Sequence, residues 1–219
     1  MAGREFRERL KRRAKAAEIT LEATLADGLE TYYQLLAKWN AKINLTAFQL
    51  TTAGEDEAID RLLIEPVVAA RYVPQHARTL LDAGSGGGSP AIPLKLASPQ
   101  LHVRLVEVKT RKAVFLREAV RTLGFRDADV ETARFEELLS RPELHEALHL
   151  VSVRAVRIET RTLLTLQAFL KPGGKIFLFR GSGTSTVETE PPPPLIWMAS
   201  YPLVDALHSK LVVLSKTRV

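Results

Sequence analysis

A run of glycines near the middle of the chain constrains the fold more than any other feature of the sequence. An apolar segment, residues 79–82, leads into Gly84-Ser85-Gly86-Gly87-Gly88, and Ser89-Pro90 follows as a helix start with Ser89 as the expected N-cap. Glycine tolerates positive φ and lets a ligand approach the backbone closely. A strand, a glycine-rich turn and a helix N-terminus together are typical of a nucleotide-binding unit.

A carboxylate should follow such a turn by about 20 residues, where it holds the hydroxyls of a ribose. Glu107 ends the next apolar segment, 23 residues after Gly84. A dinucleotide-binding turn reads G-x-G-x-x-G/A and needs glycine or alanine where this chain has Ser89. The G-x-G-x-G spacing of Gly84, Gly86 and Gly88 instead resembles motif I of class I methyltransferases, whose cofactor S-adenosylmethionine has no pyrophosphate. The alternative is a plain strand–helix turn without a ligand.

Strands and helices alternate from residue 78 onward, which predicts a parallel sheet with helices on both faces. The apolar patterns place strands at 79–82, 103–107, 128–131, 150–153 and 175–179. They place helices at 90–97, 110–123, 134–140 and 158–170. Gly124 is expected to end the second helix, and Lys171-Pro172-Gly173-Gly174 is a turn signal after the last.

The remaining segments extend this architecture at both ends. Four prolines, residues 191–194, predict a stiff extended connector, and strands at 195–198 and 211–215 predict a closing antiparallel hairpin. The expected fold is therefore a doubly wound, mostly parallel, seven-stranded Rossmann-like sheet. Helical spacing at 4–18, at 20–40 with Thr20 as N-cap, and from Glu55 to a break or restart at Pro66 predicts an N-terminal helical extension. We expect the extension to cover residues 1–75 and the cofactor-binding domain residues 76–219.

The charge of the chain is concentrated at its start. The formal net charge is +6, and residues 1–15 supply +5 of it through seven basic residues against Glu5 and Glu8. A concentrated basic segment is the electrostatic footprint of a polyanion such as RNA. The alternative is a solvated helix end with no partner.

Composition excludes several classes of chemistry. The chain has no cysteine, which excludes disulfides, thiolate zinc sites and a cysteine nucleophile. No apolar run approaches the roughly 20 residues that span a bilayer, and the first residues lack the apolar core of a secretory signal. We therefore expect a cytoplasmic protein.

One motif is expected to be misleading. His145-Glu146-Ala147-Leu148-His149 matches the H-E-x-x-H signature of zinc metalloproteases, which requires both histidines on one face of a long helix. Pro142 lies just upstream and a predicted strand follows at once, so there is room for barely two helical turns. We expect no metal site here.

Several segments occur in the order that a known family shows. They are Trp39-Asn40 with Asn44-Leu45-Thr46, the glycine turn with Pro90-Ala91-Ile92-Pro93-Leu94, Glu107 with Arg111-Lys112 and Phe115-Leu116-Arg117, Arg134-Phe135-Glu136-Glu137, Val153-Arg154-Ala155, and Arg180-Gly181. Over roughly residues 32–216 the chain resembles the bacterial 16S ribosomal RNA guanine-N7 methyltransferases, also called glucose-inhibited division protein B.

The resemblance implies a site, a cofactor and a partner. S-adenosylmethionine would be held by Gly84, Gly86, Gly88, Ser89, Glu107, Phe135, Glu136 and Arg154. Small-subunit ribosomal RNA would be contacted by Arg117, Arg134 and Arg154, of which Arg154 is the candidate catalytic residue. For Phe135 the alternative is a core aromatic, and for each arginine a solvated salt bridge. The sequence leaves the oligomeric state open, and a monomer is favoured over a dimer.

The sequence also departs from the family around the cleft, as a divergent member would. The family's His-x-x-Asp-Ser segment reads Leu62-Leu63-Ile64-Glu65-Pro66 here. Val108 replaces a frequent serine, His149 a frequent aspartate and Arg180 the usual lysine. Two alternatives therefore stay open: a class I methyltransferase acting on another substrate, and a non-catalytic RNA- or nucleotide-binding module.

The implied reaction makes small demands on side-chain chemistry. Guanine N7 carries an in-plane lone pair and no proton, so it needs neither a general base nor a covalent nucleophile. A chain without cysteine and without an Asp/Asn-Pro-Pro-aromatic motif suits such a reaction. Catalysis would come mainly from alignment, which can contribute roughly 7–11 kcal/mol.

Overall fold

The fold is built on one seven-stranded sheet, seen in a computed structural model that describes residues 2–51, 53–156, 158–181 and 190–217. The strands run in the spatial order β3-β2-β1-β4-β5-β7-β6. Their bounds are β1 Thr79–Ala83, β2 His102–Val106, β3 Ala128–Glu131, β4 Leu148–Arg154, β5 Leu170–Arg180, β6 Leu195–Pro202 and β7 Lys210–Lys216. The first five strands are parallel, and β7 pairs antiparallel with both β5 and β6.

Helices cover both faces of this sheet. They are α1 Ala2–Ala16, α2 Ala23–Asn40, α3 Asp56–Ile59, α4 Glu65–Ala69, α5 Ala91–Ala97, α6 Thr110–Thr122 and α7 Thr160–Phe169. A π-helical turn, Asp60–Ile64, joins α3 to α4. One core cluster packs α1, α2, α5 and α6 on one face, and a second packs α7 on the other. The doubly wound, mostly parallel sheet and its closing hairpin are confirmed.

Two helix boundaries differ from the sequence prediction, and a third agrees with it. Glu22, and not Thr20, is the N-cap of α2. Ser89 is not the N-cap of α5, because Pro90 takes that position while the Ser89 hydroxyl donates to the carbonyl of Leu62. At Pro66 the helix restarts as expected, since proline in the first turn lacks only an N–H that has no intrahelical partner there.

Two predicted segments have a different form in the structure. Residues 171–174 do not form a separate turn after α7. The helix passes directly into β5, and these four residues form an irregularity in the pairing of β5 with β4. Gly173 takes a φ of +82° there. The predicted helix 134–140 is the 3₁₀ helix Phe135–Ser140. Gly124 does follow the end of α6 with a φ of +65°, as predicted.

The N-terminal helices are part of the main core. Phe6 and Leu10 of α1 and Leu29 of α2 are fully buried in the same cluster as Leu80 of β1. Fully burying an aliphatic or aromatic side chain contributes about 1.5–3 kcal/mol, so the helices stabilise the sheet that they cover. The N-terminal helices and the sheet thus share one core, and the domain boundary at residue 75 remains a prediction. Within the described residues, no helix is long and apolar enough to cross a membrane.

Candidate functional site

A cavity of about 780 Å³ opens at the carboxyl ends of the parallel strands. Gly84 follows β1, Glu107 follows β2, Arg154 ends β4 and Phe179 lies near the end of β5, and all four line the cavity. The strand order reverses direction between β1 and β4, and open α/β sheets bind ligands at such a switch point. The volume lies within the roughly 300–1,000 Å³ range of small-molecule sites.

The three glycines of the predicted G-x-G-x-G motif are required for different structural reasons. All three have positive φ: +76° at Gly84, +52° at Gly86 and +90° at Gly88. A Cβ on Gly86 would meet nothing closer than 3.9 Å, so this residue faces open cavity. A Cβ on Gly88 would lie 2.5 Å from Ile92, and Gly88 is not among the lining residues. Gly84 and Gly86 therefore face the ligand space, and Gly88 permits close helix packing.

Glu107 is held in place by the loop that it faces. One carboxylate oxygen accepts from the backbone N–H of Gly86 at 2.9 Å, and the other accepts from that of Lys109 at 2.8 Å. Each oxygen has a second lone pair, which can accept from a hydroxyl of a ribose. The predicted relation between the glycine turn and this acid is therefore present in the structure.

Asp82 is a charged group at this site that the sequence analysis did not select. It lies in β1 beside Ser152 of β4, whose hydroxyl donates to its carboxylate at 2.5 Å, and its second oxygen is buried with no hydrogen-bond partner. Burial raises the pKa of Asp82 to about 6, against the opposing effect of the hydrogen bond from Ser152. An acid between an apolar strand and the glycine turn was the signal that could have found it.

Arg154 is the centre of a buried ionic network. Its Nη2 donates to the Glu65 carboxylate at 2.8 Å, and its Nη1 donates to the Ser89 hydroxyl at 3.0 Å. Glu65 is fully buried and also accepts from Arg61 at 2.7 Å. The guanidinium lies 4.7 Å over the Phe179 ring, and its Nε has no partner. Desolvation lowers the pKa of Arg154, and Glu65 opposes that shift.

Glu65 belongs to residues 62–66, the segment that the resemblance sets against a His-x-x-Asp-Ser segment, and it binds two arginines on the cavity wall. Breaking a buried pair by removing one partner typically costs 3–5 kcal/mol. Arg154 therefore fixes the end of β4 to the start of α4 in addition to facing the cavity.

The N-terminal region supplies one wall of the cavity. The Tyr32 hydroxyl of α2 donates to the carbonyl of Gly87 at 2.6 Å, which ties the extension to the glycine loop. Asn40 organises the loop that follows α2: its Oδ1 accepts from the N–H groups of Leu45 and Thr46, each at 2.9 Å, and its Nδ2 donates to the carbonyl of Phe48 at 3.2 Å. Residues 45–48 line the cavity. The Asn-Leu-Thr segment was the sequence signal for this wall.

The other predicted site residues lie apart from this cavity. Phe135 packs against the second core cluster, and Glu136 is exposed beside it. Arg134 is exposed at the start of the same 3₁₀ helix. Arg117 is exposed on α6 and donates to the hydroxyl of Thr132 at 2.7 Å. The cavity therefore brings together Gly84, Gly86, Ser89, Glu107 and Arg154, and their assigned roles stay predictions.

The two histidines of the H-E-x-x-H motif do not share a helix. His145 follows the short 3₁₀ helix Pro142–Leu144, and His149 lies on β4 beside Thr79. Glu146 has a φ of +49° and binds Lys216 at 2.7 Å. The described part of the chain contains no group of three metal-binding side chains.

Comparison with known proteins identifies the family. The model of the family described as rRNA small subunit methyltransferase G matches residues 26–190. This chain belongs to that family. The match includes the glycine turn, Glu107, Arg154 and the Asn40 loop, so all residues that line the cavity lie within the matched range.

Curated relatives carry the name "Ribosomal RNA small subunit methyltransferase G". The protein from Myxococcus xanthus is 33% identical over 86% of this chain and 84% of its own. The protein from Stenotrophomonas maltophilia is 36% identical over 75% of this chain and 73% of its own. The protein from Pelotomaculum thermopropionicum is 35% identical over 68% of this chain but only 61% of its own length.

Solved structures share the fold at low sequence identity. A SAM-dependent methyltransferase from Aquifex aeolicus has a TM-score of 0.56 at 14% identity, over 75% of this chain and 94% of its own. P. horikoshii TYW2, solved in complex with MeSAdo, has a TM-score of 0.51 at 12% identity, over 70% of this chain and 61% of its own. These likenesses establish the class I methyltransferase fold.

Proposed function

We propose that this protein is an S-adenosylmethionine-dependent methyltransferase that methylates N7 of a guanine in 16S ribosomal RNA, and that it acts in the cytoplasm. The observation that carries the proposal is the cavity at the switch point, where Glu107 faces the glycine loop in a chain of this family. The partner is small-subunit ribosomal RNA.

The residues of the cavity fit this cofactor. Glu107 retains free lone pairs for the ribose hydroxyls, and Gly86 leaves open space where any side chain would intrude. Ionised Asp82, buried under the loop, supplies a negative field that favours a cation. S-adenosylmethionine is such a cation, and when bound it supplies an electrophilic methyl group on sulfur.

The chain's own contribution to the reaction is positioning. Guanine N7 attacks with a lone pair and gives up no proton, so no side chain has to act as a base. Arg154 is fixed by Glu65 and Ser89 and presents its guanidinium at the cavity wall. We assign it the task of orienting the base, together with the Asn40 loop, which also lines the cavity. Excluding water strengthens these interactions.

A second candidate is methylation of a different substrate by the same cofactor site. The observation that favours it is the departure of residues 62–66 from the His-x-x-Asp-Ser segment expected of the family, since Glu65 of this segment pairs with Arg61 and Arg154 on the cavity wall. A substrate would then meet different side chains at this wall, while Glu107 and the glycine loop keep their roles.

Cofactor binding and methyl transfer test the two parts of the proposal. Calorimetry should detect binding of S-adenosylmethionine and no binding of NAD, because the loop lacks the glycine spacing of dinucleotide-binding turns. Transfer of a tritiated methyl group to small-subunit RNA or intact subunits should follow. Tight NAD binding without an S-adenosylmethionine signal would contradict the cofactor, and cofactor binding without RNA labelling would favour the second candidate.

A further inference from the structure

Helix α6 carries a basic face that the rest of the protein does not neutralise. Five basic residues lie on or just before this helix, against the single carboxylate of Glu118; they are Lys109, Arg111, Lys112, Arg117 and Arg121. Among the described residues none of the five forms an ion pair, and Arg117 is bonded only to neutral acceptors. The nearby acid Glu131 is already paired with Arg104 and Arg141.

Helix α1 has more basic residues but a different environment. Its five arginines each contact a carboxylate, including Asp27 of α2 at 2.9 Å from Arg7 and Asp60 at 2.9 Å from Arg13. The acids on this surface are Glu5, Glu8, Asp27, Glu30, Asp56 and Asp60. Seven basic residues therefore meet six carboxylates, and only Lys11 and Lys15 are left unpaired within the described structure. The charge that dominates the sequence is mostly compensated in the fold.

The basic face of α6 is continuous with the cavity. Lys109 and Lys112 line the cavity rim, and Arg111, Arg117 and Arg121 continue along the exposed side of the helix. Arg111 and Arg121 are ten residues apart, which is about 15 Å along a helix. A polyanion that places one of its repeating units in the cavity can therefore lie along this face with the units that follow.

We propose that the exposed face of α6, formed by Arg111, Arg117 and Arg121 and joined to the cavity by Lys109 and Lys112, is the surface that binds the RNA backbone beside the target base. The proposal rests on the proposed function for the identity of the polyanion. Unpaired basic side chains lose no existing ion pair when they bind phosphate, whereas the arginines of α1 would have to give up theirs. The mode of binding is phosphate contact, which carries affinity and not base selectivity.

A charge-matched pair of variants tests the surface. The α6 variant is R111Q/R117Q/R121Q, and the α1 control is R4Q/K11Q/K15Q, which removes the same charge from exposed positions of the other basic helix. Filter binding of a 16S-derived RNA is measured across a salt series. Each lost phosphate contact should reduce the slope of log K against log salt by about 0.7–0.9. The α6 variant should lose about two units of slope, and the control should keep the wild-type slope.

Two further readouts separate this surface from the proposed function. S-adenosylmethionine affinity and the thermal midpoint should be unchanged in the α6 variant, and its KM for RNA should rise while kcat is kept. An unchanged salt slope in the α6 variant, or an equal loss of slope in the α1 control, would contradict RNA binding by the α6 face even if methylation is intact. A wild-type protein that binds RNA through α6 but transfers no methyl group would contradict the proposed function and leave the surface standing.

Discussion

Single residues at the glycine loop determine whether the cavity can accept a ligand. Gly86 faces open cavity at a φ of +52°, and Gly124, just past the end of α6 and not among the cavity-lining residues, has a φ of +65° with nothing within 4 Å. An alanine at either position incurs the same left-handed strain of about 1–2 kcal/mol. Gly86→Ala should therefore weaken S-adenosylmethionine binding strongly, and Gly124→Ala should lower only stability. Calorimetry and thermal melts on both variants check this, and equal cofactor affinity in the two would contradict our placement of the ligand.

The carboxylate of Glu107 is the second residue-scale test. Glu107→Gln keeps the size of the side chain but removes its charge and one of its two acceptors for the N–H groups of Gly86 and Lys109. Hydrogen bonds to charged groups contribute about 1.5–3 kcal/mol, so cofactor affinity should fall about 10- to 100-fold. Titration with S-adenosylmethionine measures it. Unaltered affinity would mean that the ribose lies elsewhere.

Asp82 should make stability depend on pH. Its pKa is about 6 in the fold against 3.8 ordinarily, so between about pH 4 and pH 6 the folded protein binds more protons than the unfolded chain. The contribution of Asp82 to the free energy of unfolding therefore falls as pH rises through that window. Relative to that of the wild type, the free energy of unfolding of Asp82→Asn should rise by about 2–3 kcal/mol between pH 4 and pH 7. Urea unfolding of both proteins measures the difference, with exposed Asp205→Asn as the control; a flat difference would contradict the raised pKa.

At the scale of elements, the loop after α2 depends on one side chain. Asn40→Ala leaves the N–H groups of Leu45 and Thr46 without their acceptor, which costs about 1–3 kcal/mol. Hydrogen exchange at these two amides should accelerate, and cofactor affinity should drop because the loop lines the cavity. Asn40→Asp keeps both accepting bonds and should retain slow exchange at the same amides. Equal exchange in the alanine variant and wild type would contradict the role of Asn40.

Elements were predictable from sequence where a local pattern determines them. The strand before the glycine turn and the acid after β2 follow from hydrophobic pattern and spacing, so Glu107 was found. Asp82 and Glu65 were missed as site residues because their roles arise from burial between elements distant in sequence. The N-cap at Ser89 was wrong because its hydroxyl bonds to Leu62, a contact that only the packed π-helical turn creates.

For the whole molecule, sequence alone misjudges where positive charge is available. Counting residues places the excess in α1, but the fold brings Asp27, Asp56 and Asp60 against its arginines. Phe6 and Leu10 of the same helix are buried, so removing residues 1–15 would damage the core as well as the charge. Whether a basic side chain is paired with a carboxylate depends on tertiary contacts. Because the arginines of α1 are paired in this way, we expect the RNA to bind at α6.

Methylation of guanine N7 in 16S ribosomal RNA can be mapped to a single nucleotide. The most direct measurement is incubation of unmethylated small subunits with the protein and S-adenosylmethionine, followed by borohydride reduction, aniline cleavage and mapping of the strand breaks, which occur at N7-methylguanine. We predict one new break in 16S RNA, present with wild-type protein and absent with Gly86→Ala. Incorporation of methyl groups without such a break, or label confined to another molecule, would contradict the assignment.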